Sequence, residues 1–345
     1  MKTVRVQAST SYDILIGNGL LSRLGKFLLD VFGKPCKIAI ISDSNVFPIY
    51  EKSVADNLNQ ADFETVSYCF PAGEASKSAA TYLEIVNFLA QQHITRADAV
   101  LALGGGVVGD LTGFAAATYL RGIRYVQIPT SLLAMVDSSV GGKTAIDLPF
   151  GKNLVGAFYQ PRLVVCDLDA LNTLPEAIFR DGCAEVIKYS VLYDAALFDH
   201  LQKNGLGFDR LAVISRCVEL KRNVVAEDEF DNGARQKLNL GHTVGHGIEA
   251  QSNFTISHGQ AVAIGMAIVA KAGCPEIYER LLDVLKKFQL PTTTTLSAKQ
   301  LYDSALSDKK RSGNTVNLIV PKKIGDCAIV PTEIEKLESF IEEGL

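Results

Sequence analysis

The sequence predicts an α/β protein in which an N-terminal Rossmann-like parallel-sheet domain (residues 1–168) precedes a mostly α-helical domain (residues 169–345), with the active site in the cleft between them. Three observations carry this reading. β-Rich runs alternate with helix-compatible segments through the first half, a glycine-rich turn follows one of those runs, and the strand signal fades after about residue 168 until a last stretch near the C-terminus.

The elements follow in order. The opening MKTVRVQASTSYDILIG alternates like strands and lacks the apolar stretch of a signal peptide. CKIAIISD (36–43), DFETVSYCF (62–70), ADAVLALGG (97–105), IRYVQIPT (123–130) and RLVVCD (162–167) are rich in Val and Ile and read as strands. Between them, KSAATYLEIVNFLAQQH repeats Tyr82, Ile85, Val86 and Leu89 at helical spacing. Strands alternating with helices imply parallel strands covered on both faces. Beyond residue 168, EAIFRDGCAEVIKYSVLY, FDRLAVISRCVELKRNVVAEDE, LGHTVGHGIEAQ, GQAVAIGMAIVAKAG and PEIYERLLDVLKKFQLP all read as helices, and NTVNLIVPKKIGDCAIV reads as a hairpin.

Composition narrows the function classes. A chain of 345 residues that is 48% hydrophobic and 21% charged is long and apolar enough to bury two cores. A net charge of −4 gives no global basic field, so nucleic acid is not an expected partner and the cations for an anionic ligand must be gathered locally. The apolar run Ala261–Ala270 is too short to cross a bilayer, so no membrane partner is expected. Seven dispersed cysteines without a CxxC pair fit free thiols in a reducing compartment, which predicts a cytoplasmic protein.

Chemistry-bearing residues gather in a few segments. GGGVVGD (104–110) satisfies G-x-G-x-x-G through Gly104, Gly106 and Gly109 after an expected strand, a turn that lets backbone N–H groups approach a pyrophosphate. The motif alone is weak, because the acidic residue about twenty positions later is missing. Asp43 and Asn45 in ISDSN, and Glu74 and Lys77 in PAGEASK, follow earlier strands; as isolated residues they are ordinary turn formers, but strand ends on one sheet edge face one crevice. The segment 129–161 holds Asp137, a Gly-Gly-Lys ending at Lys143 and a Gly-Lys-Asn at 151–153, where lysine and backbone both reach an anion. A P-loop is excluded there because its first glycine would have to occupy Asp137. Glu185 and Lys188 lie one helical turn apart; a salt-bridged surface pair is the default reading, but their apolar flanks favour a partly buried pair that wants a mutual partner or a ligand. His242, His246 and His258 make three of the five histidines; spacing alone nominates His242 and His246, at i and i+4, as a metal pair.

The segments PAGEASK, GGGVVGDLTGF, YLRGIRYVQIPTSLLAMVDSSVGGKTAID, GKNLVGAFYQP, AEVIKY, KLNLGHTVGHGIEA and SHGQAVAIGM resemble, in order, the 3-dehydroquinate synthase family of the sugar-phosphate cyclases. The resemblance runs from about residue 43 to residue 310. It implies conversion of 3-deoxy-D-arabino-heptulosonate 7-phosphate to 3-dehydroquinate and phosphate, in the shikimate route to aromatic amino acids. The implied sequence is transient oxidation by NAD, phosphate elimination, re-reduction, ring opening and internal aldol closure. It also implies Zn2+, with Co2+ as a substitute, held by Glu185, His242 and His258. His246 then becomes a proton-handling neighbour, and Asp137, Lys152, Asn153, Lys188 and Lys221 complete the implied catalytic set. NAD would meet Asp43, Asn45, Glu74, Lys77, Gly105, Gly106, Asp110, Thr130, Lys143, Lys152 and Thr173. Substrate carboxylate and phosphate would meet Lys143, Asn153, Lys221, Arg235, Asn239 and Lys309 or Lys310, with Arg121 reaching the site of a second copy in a homodimer.

This chain departs from the family pattern in three places: Ser131 follows Thr130 where a second threonine is usual, Gln260 stands where HGEAVA carries a carboxylate, and the segment between AIVAKAG and PEIYERLL is shorter than usual, which bears on the helical domain's outline more than on the site. Competing readings are 2-deoxy-scyllo-inosose synthase, whose substrate lacks a carboxylate for Arg235 and Asn239, and a metal-dependent NAD-linked polyol dehydrogenase, which has little use for so many cations. A non-catalytic nucleotide-binding protein would not need Glu185, His242 and His258 together.

Overall fold

The computed structural model describes residues 1–252, 255–306, 311–312 and 314–345. The chain forms two compact units, Met1–Leu174 with Ile214–Phe230, and Pro175–Val213 with Asp231–Leu345. The sequence texture places one boundary at residue 168. The first unit instead runs on through a 3-10 turn, Leu168–Asn172, and takes in part of a later helix. Side-chain bonds account for that inclusion: Lys2 pairs with Glu219 at 2.6 Å, and Glu229 accepts from the Ser9 hydroxyl at 2.6 Å and the Gln160 amide at 2.8 Å. Helical periodicity reveals which face of a segment is buried, not which partner buries it.

The first unit contains β1 (Lys2–Val6), β2 (Tyr12–Gly17), α1 (Leu24–Phe32), β3 (Lys37–Asp43), α2 (Phe47–Asn59), β4 (Glu64–Phe70), α3 (Ala79–Gln91) and β5 (Ala99–Gly104). It continues with α4 (Gly106–Thr118), β6 (Arg124–Pro129), β7 (Lys143–Leu148), β8 (Gly151–Phe158) and β9 (Leu163–Asp167). Seven strands form one sheet in the order β1-β2-β9-β6-β5-β3-β4, parallel except for β1 against β2. Alternate side chains serve opposite faces, as strand geometry requires. Ile38, Ile40, Leu101 and Leu103 join a core with Leu24 and Phe27 of α1 and Val54 of α2, whereas Ala39, Ile41, Val100 and Ala102 pack with Ile85 of α3 and Leu111 of α4. Residues 143–158, for which the sequence suggests anion-binding lysines but no secondary structure, form an antiparallel β7–β8 hairpin outside the main sheet.

The second unit contains α5 (Glu176–Tyr193), α6 (Ala195–Asn204) and the start of α7 (Arg210–Glu227), whose remainder belongs to the first unit. Next come α8 (His242–Gln251), α9 (His258–Gly273), α10 (Pro275–Lys287) and α11 (Ala298–Leu306). The chain ends with β10 (Arg311–Ser312), β11 (Thr315–Lys323), β12 (Asp326–Glu333) and α12 (Ile334–Gly344). The expected C-terminal hairpin is β11–β12, to which β10 adds a short third strand. Helix α9 is buried from Ala261 to Ala270 and forms the spine of this unit. Two glycines let α8 and α9 meet backbone to backbone: a Cβ on Gly265 would stand 2.0 Å from the Gly241 carbonyl oxygen, and Gly241 itself has a φ of 76°.

Candidate active site

The sheet of the first unit has a topological switch point between β3 and β5. Strand β3 lies between β4 and β5, and the helices that follow β3 and β5, α2 and α4, cover opposite faces. The C-terminal ends of β3 and β5 therefore mark the position at which sheets of this kind usually take a ligand. Asp43 ends β3, and its Oδ1 accepts the N–H groups of Asn45 at 2.9 Å and Val46 at 3.1 Å, fixing the turn into α2. Gly105 caps α4; a Cβ there would have only the Ser131 hydroxyl, at 3.6 Å, nearby. The protein's own packing does not demand glycine at that position, so the bare backbone leaves room for a ligand. The Ser131 departure thus borders Gly105, and the neighbouring Thr130 is buried with its N–H bonded to the Gly104 carbonyl at 3.0 Å.

Polar residues cluster around Lys77. Lys77, 6% exposed, donates to Asp110 Oδ2 and Asn153 Oδ1, both at 2.5 Å. Burial disfavours its charge, but the carboxylates of Asp110, Glu74 and Asp147 prevail and hold the ammonium above the ordinary lysine range. Lys152 stands 3.4 Å from Glu74. Asn153 has a φ of 55°, and Asp147, which sequence reasoning missed, accepts its N–H at 2.7 Å while donating its own N–H to the Lys77 carbonyl at 2.8 Å. The hairpin thereby carries Lys152 and Asn153 to Lys77 and Glu74. Thr173 bonds the Tyr50 hydroxyl at 2.5 Å, and Asn45 and Lys143 are exposed.

Still in this unit, Lys221 of α7 is almost buried and donates to both the carboxylate and, at 2.6 Å, the carbonyl oxygen of Asp137. Asp137 lies in a π-helical turn, Ala134–Ser138, a local widening frequent at functional sites. Arg121 is exposed within three successive left-handed residues, with φ of 52° at Leu120, 66° at Arg121 and 114° at Gly122.

The second unit assembles a denser group. Glu185 and Lys188, one turn apart on α5, are 0% and 1% exposed and form an ion pair. Glu185 Oε1 lies 3.1 Å from His258 Nε2 and 3.5 Å from His242 Nε2. These two histidines are the first residues of α9 and α8, the helices that the glycine contacts hold together. One ligand-type atom from each of Glu185, His242 and His258 lies within 4.8 Å of the others. His246 is adjacent, its ring centre 5.5 Å from that of His242 and 6.4 Å from that of His258, but it does not join the three. On the far side of the His258 ring, Nδ1 is 3.2 Å from Glu249 Oε2, while His242 Nδ1 is 3.0 Å from the Leu240 carbonyl. Burial opposes a charge on His258, yet the bonds and charges of Glu185 and Glu249 outweigh it and raise the imidazole to about 10.

Gln260 has a local explanation. Its side-chain oxygen accepts the Ser257 N–H at 3.1 Å and completes a capping box at the start of α9. The negative partner of that helix end is Asp181 of α5, whose Oδ1 accepts from the Ser257 hydroxyl at 2.5 Å and the Gln260 N–H at 3.1 Å. Sequence reasoning missed Asp181 and Glu249. Their spacings carried a signal, since Asp181 precedes Glu185 by one turn and Glu249 follows His242 by two. Arg235 is 1% exposed in the 3-10 segment Ala234–Asn239, which ends at Asn239. Lys309 and Lys310 lie outside the described residues.

Comparison with known proteins places the chain. Residues 67–181 match the family model for the 3-dehydroquinate synthase N-terminal region, and residues 182–311 match that for the C-terminal region. A 3-dehydroquinate synthase of Streptococcus suis is 42% identical over 347 residues, covering 97% of this chain and 98% of the relative. Among solved structures, a 2-epi-5-epi-valiolone synthase from Streptomyces hygroscopicus with NAD+ and Zn2+ bound superposes with a TM-score of 0.88 at 26% identity, over 98% of both chains. A 2-deoxy-scyllo-inosose synthase complexed with carbaglucose-6-phosphate, NAD+ and Co2+ gives 0.89 at 24% identity over the whole of both chains, a likeness of fold. With both halves matched and a relative this similar across nearly its full length, the chain belongs to the 3-dehydroquinate synthase family.

Proposed function

We propose that the protein converts 3-deoxy-D-arabino-heptulosonate 7-phosphate to 3-dehydroquinate and phosphate, a phosphate-eliminating cyclisation in aromatic amino acid biosynthesis. The observation that carries the mechanism is the convergence of Glu185, His242 and His258 within 4.8 Å in a chain of this family. Two imidazole nitrogens and one carboxylate oxygen are a donor set that suits Zn2+ and leaves room for substrate oxygens. The bare backbone at Gly105, at the N-terminus of α4, suits the pyrophosphate of NAD. Bound NAD supplies reversible hydride transfer and bound zinc supplies Lewis acidity at the substrate hydroxyls, so no net NADH accumulates.

The side chains do the rest. Asp43, Asn45, Glu74, Lys77, Gly105, Gly106, Asp110, Thr130 and Thr173 orient the dinucleotide, with Lys143 and Lys152 available to its phosphates. Arg235 and Asn239 take the substrate carboxylate, for which a planar guanidinium gives bidentate geometry. Lys143, Lys152, Asn153 and Lys309 or Lys310 neutralise the phosphate group. Lys221, oriented by Asp137, and Lys188, oriented by Glu185, hold ammonium groups toward substrate oxygens. His246 moves a proton at a ring nitrogen during elimination and ring closure. The protein acts as a cytoplasmic homodimer, with Arg121 completing the site of the other copy.

The decisive experiment supplies the full-length chain with NAD, zinc and the heptulosonate phosphate, and follows phosphate release alongside absorbance in the NADH band. Phosphate release with a flat NADH signal, abolished by a chelator, is expected. Stoichiometric NADH without phosphate would identify a polyol dehydrogenase. Preference for a sugar phosphate without a carboxylate would identify an inosose synthase instead.

A further inference from the structure

We infer that Glu249 is a positioning residue that sets the tautomer and orientation of His258 for metal binding. The inference rests on the metal reading of Glu185, His242 and His258. Nothing in the spacing of the three proposed ligands calls for Glu249, yet its carboxylate is 4% exposed, and a carboxylate kept from water needs a partner that justifies the desolvation. It lies two turns after His242 on α8, hence on the same face, where the close α8–α9 approach at Gly241 and Gly265 brings it to the start of α9.

The geometry of the two imidazoles makes the argument. An imidazole that gives its Nε2 lone pair to a cation must carry its remaining proton on Nδ1, and that proton needs an acceptor. Each histidine has one there. His242 Nδ1 faces the Leu240 carbonyl at 3.0 Å, an oxygen that can only accept, so the backbone itself selects the tautomer with a free Nε2. His258 is the first residue of its helix, and its Nδ1 faces Glu249 Oε2 at 3.2 Å while its Nε2 faces Glu185 Oε1 at 3.1 Å. Glu249 therefore does for His258 what the chain backbone does for His242. A carboxylate acceptor also makes the imidazole a better electron-pair donor, which a neutral carbonyl does less well.

The test uses the full-length protein and three variants, Glu249→Ala, Glu249→Gln and His258→Ala. Zinc affinity is read by competition with a chromophoric chelator, and NADH binding by fluorescence. Glu249→Ala should weaken zinc about 10–100-fold and leave NADH affinity unchanged. Glu249→Gln, which keeps an accepting oxygen but loses the charge, should fall between wild type and Ala. Zinc affinity within about twofold of wild type in Glu249→Ala overturns the inference, as does a parallel loss of zinc and NADH binding, which marks a purely structural role. Should the Ala variant not fold, wild-type zinc affinity in Glu249→Gln overturns it equally. Wild-type zinc affinity in His258→Ala is a different failure, because it removes the underlying metal reading.

Discussion

At the scale of single residues, His246 stands beside a three-donor cluster without entering it, and that separation divides binding from turnover. His246→Ala is expected to keep wild-type zinc content, measured by atomic absorption, and to lose kcat by about 10²–10⁴-fold, the usual worth of a positioned proton carrier. His258→Ala should lose both zinc and turnover. Helical spacing made His242 and His246 the natural pair because residues four apart share one face of one helix. That rule is blind to a partner arriving at the start of a second helix, which is how His258 comes to Glu185. The cluster became legible only through the family resemblance. Glu249 and Asp181 escaped even that, since their partners are set by how α5, α8 and α9 cross.

At the scale of elements, most strands were legible because a sheet covered on both faces needs continuous runs of buried residues, as β3, β5 and β9 have, and most helices because their apolar residues recur at helical spacing. The β7–β8 hairpin was not, because its exposed Leu154, Val155 and Phe158 break the inside–outside rule by which a strand is recognised. Helix α9 offers a direct test of the Gln260 departure. Gln260→Glu keeps the accepting oxygen and adds charge at a helix N-terminus, so the melting temperature should hold or rise slightly, with zinc content unchanged. Gln260→Ala should lower stability by about 1 kcal/mol in a denaturant titration, typical of a lost cap. A second test concerns Asp98, which ties strand starts together: it accepts the Lys37 N–H at 3.0 Å and the Thr95 N–H at 2.8 Å and hydroxyl at 2.6 Å. Burial would raise its carboxyl, but these bonds and Arg124 overcome that and hold it below 3.8. Its contribution is therefore complete above about pH 4 and lost as pH falls through the depressed value. Asp98→Asn should be less stable than wild type at neutral pH, and the gap should close in unfolding measurements at progressively lower pH.

At the scale of the whole molecule, metal binding and folding are linked. A cation at a hundred times its dissociation constant adds about 2.7 kcal/mol of stability. Chelator treatment should thus lower the melting temperature of the wild type and leave that of His258→Ala unmoved. The division of the chain has a further consequence. The first unit is interrupted, with residues 175–213 belonging elsewhere before Ile214–Phe230 returns to it. Asp137 must wait for Lys221, 84 residues further along, and Ser9 for Glu229, 220 residues further along. On a ribosome, which delivers the chain from its N-terminus, the first unit therefore cannot close as soon as its sheet has emerged; it stays unfinished until residues 175–213 of the second unit and its own returning segment, Ile214–Phe230, have been synthesised. The two units are interleaved along the chain, and no single cut separates one from the other.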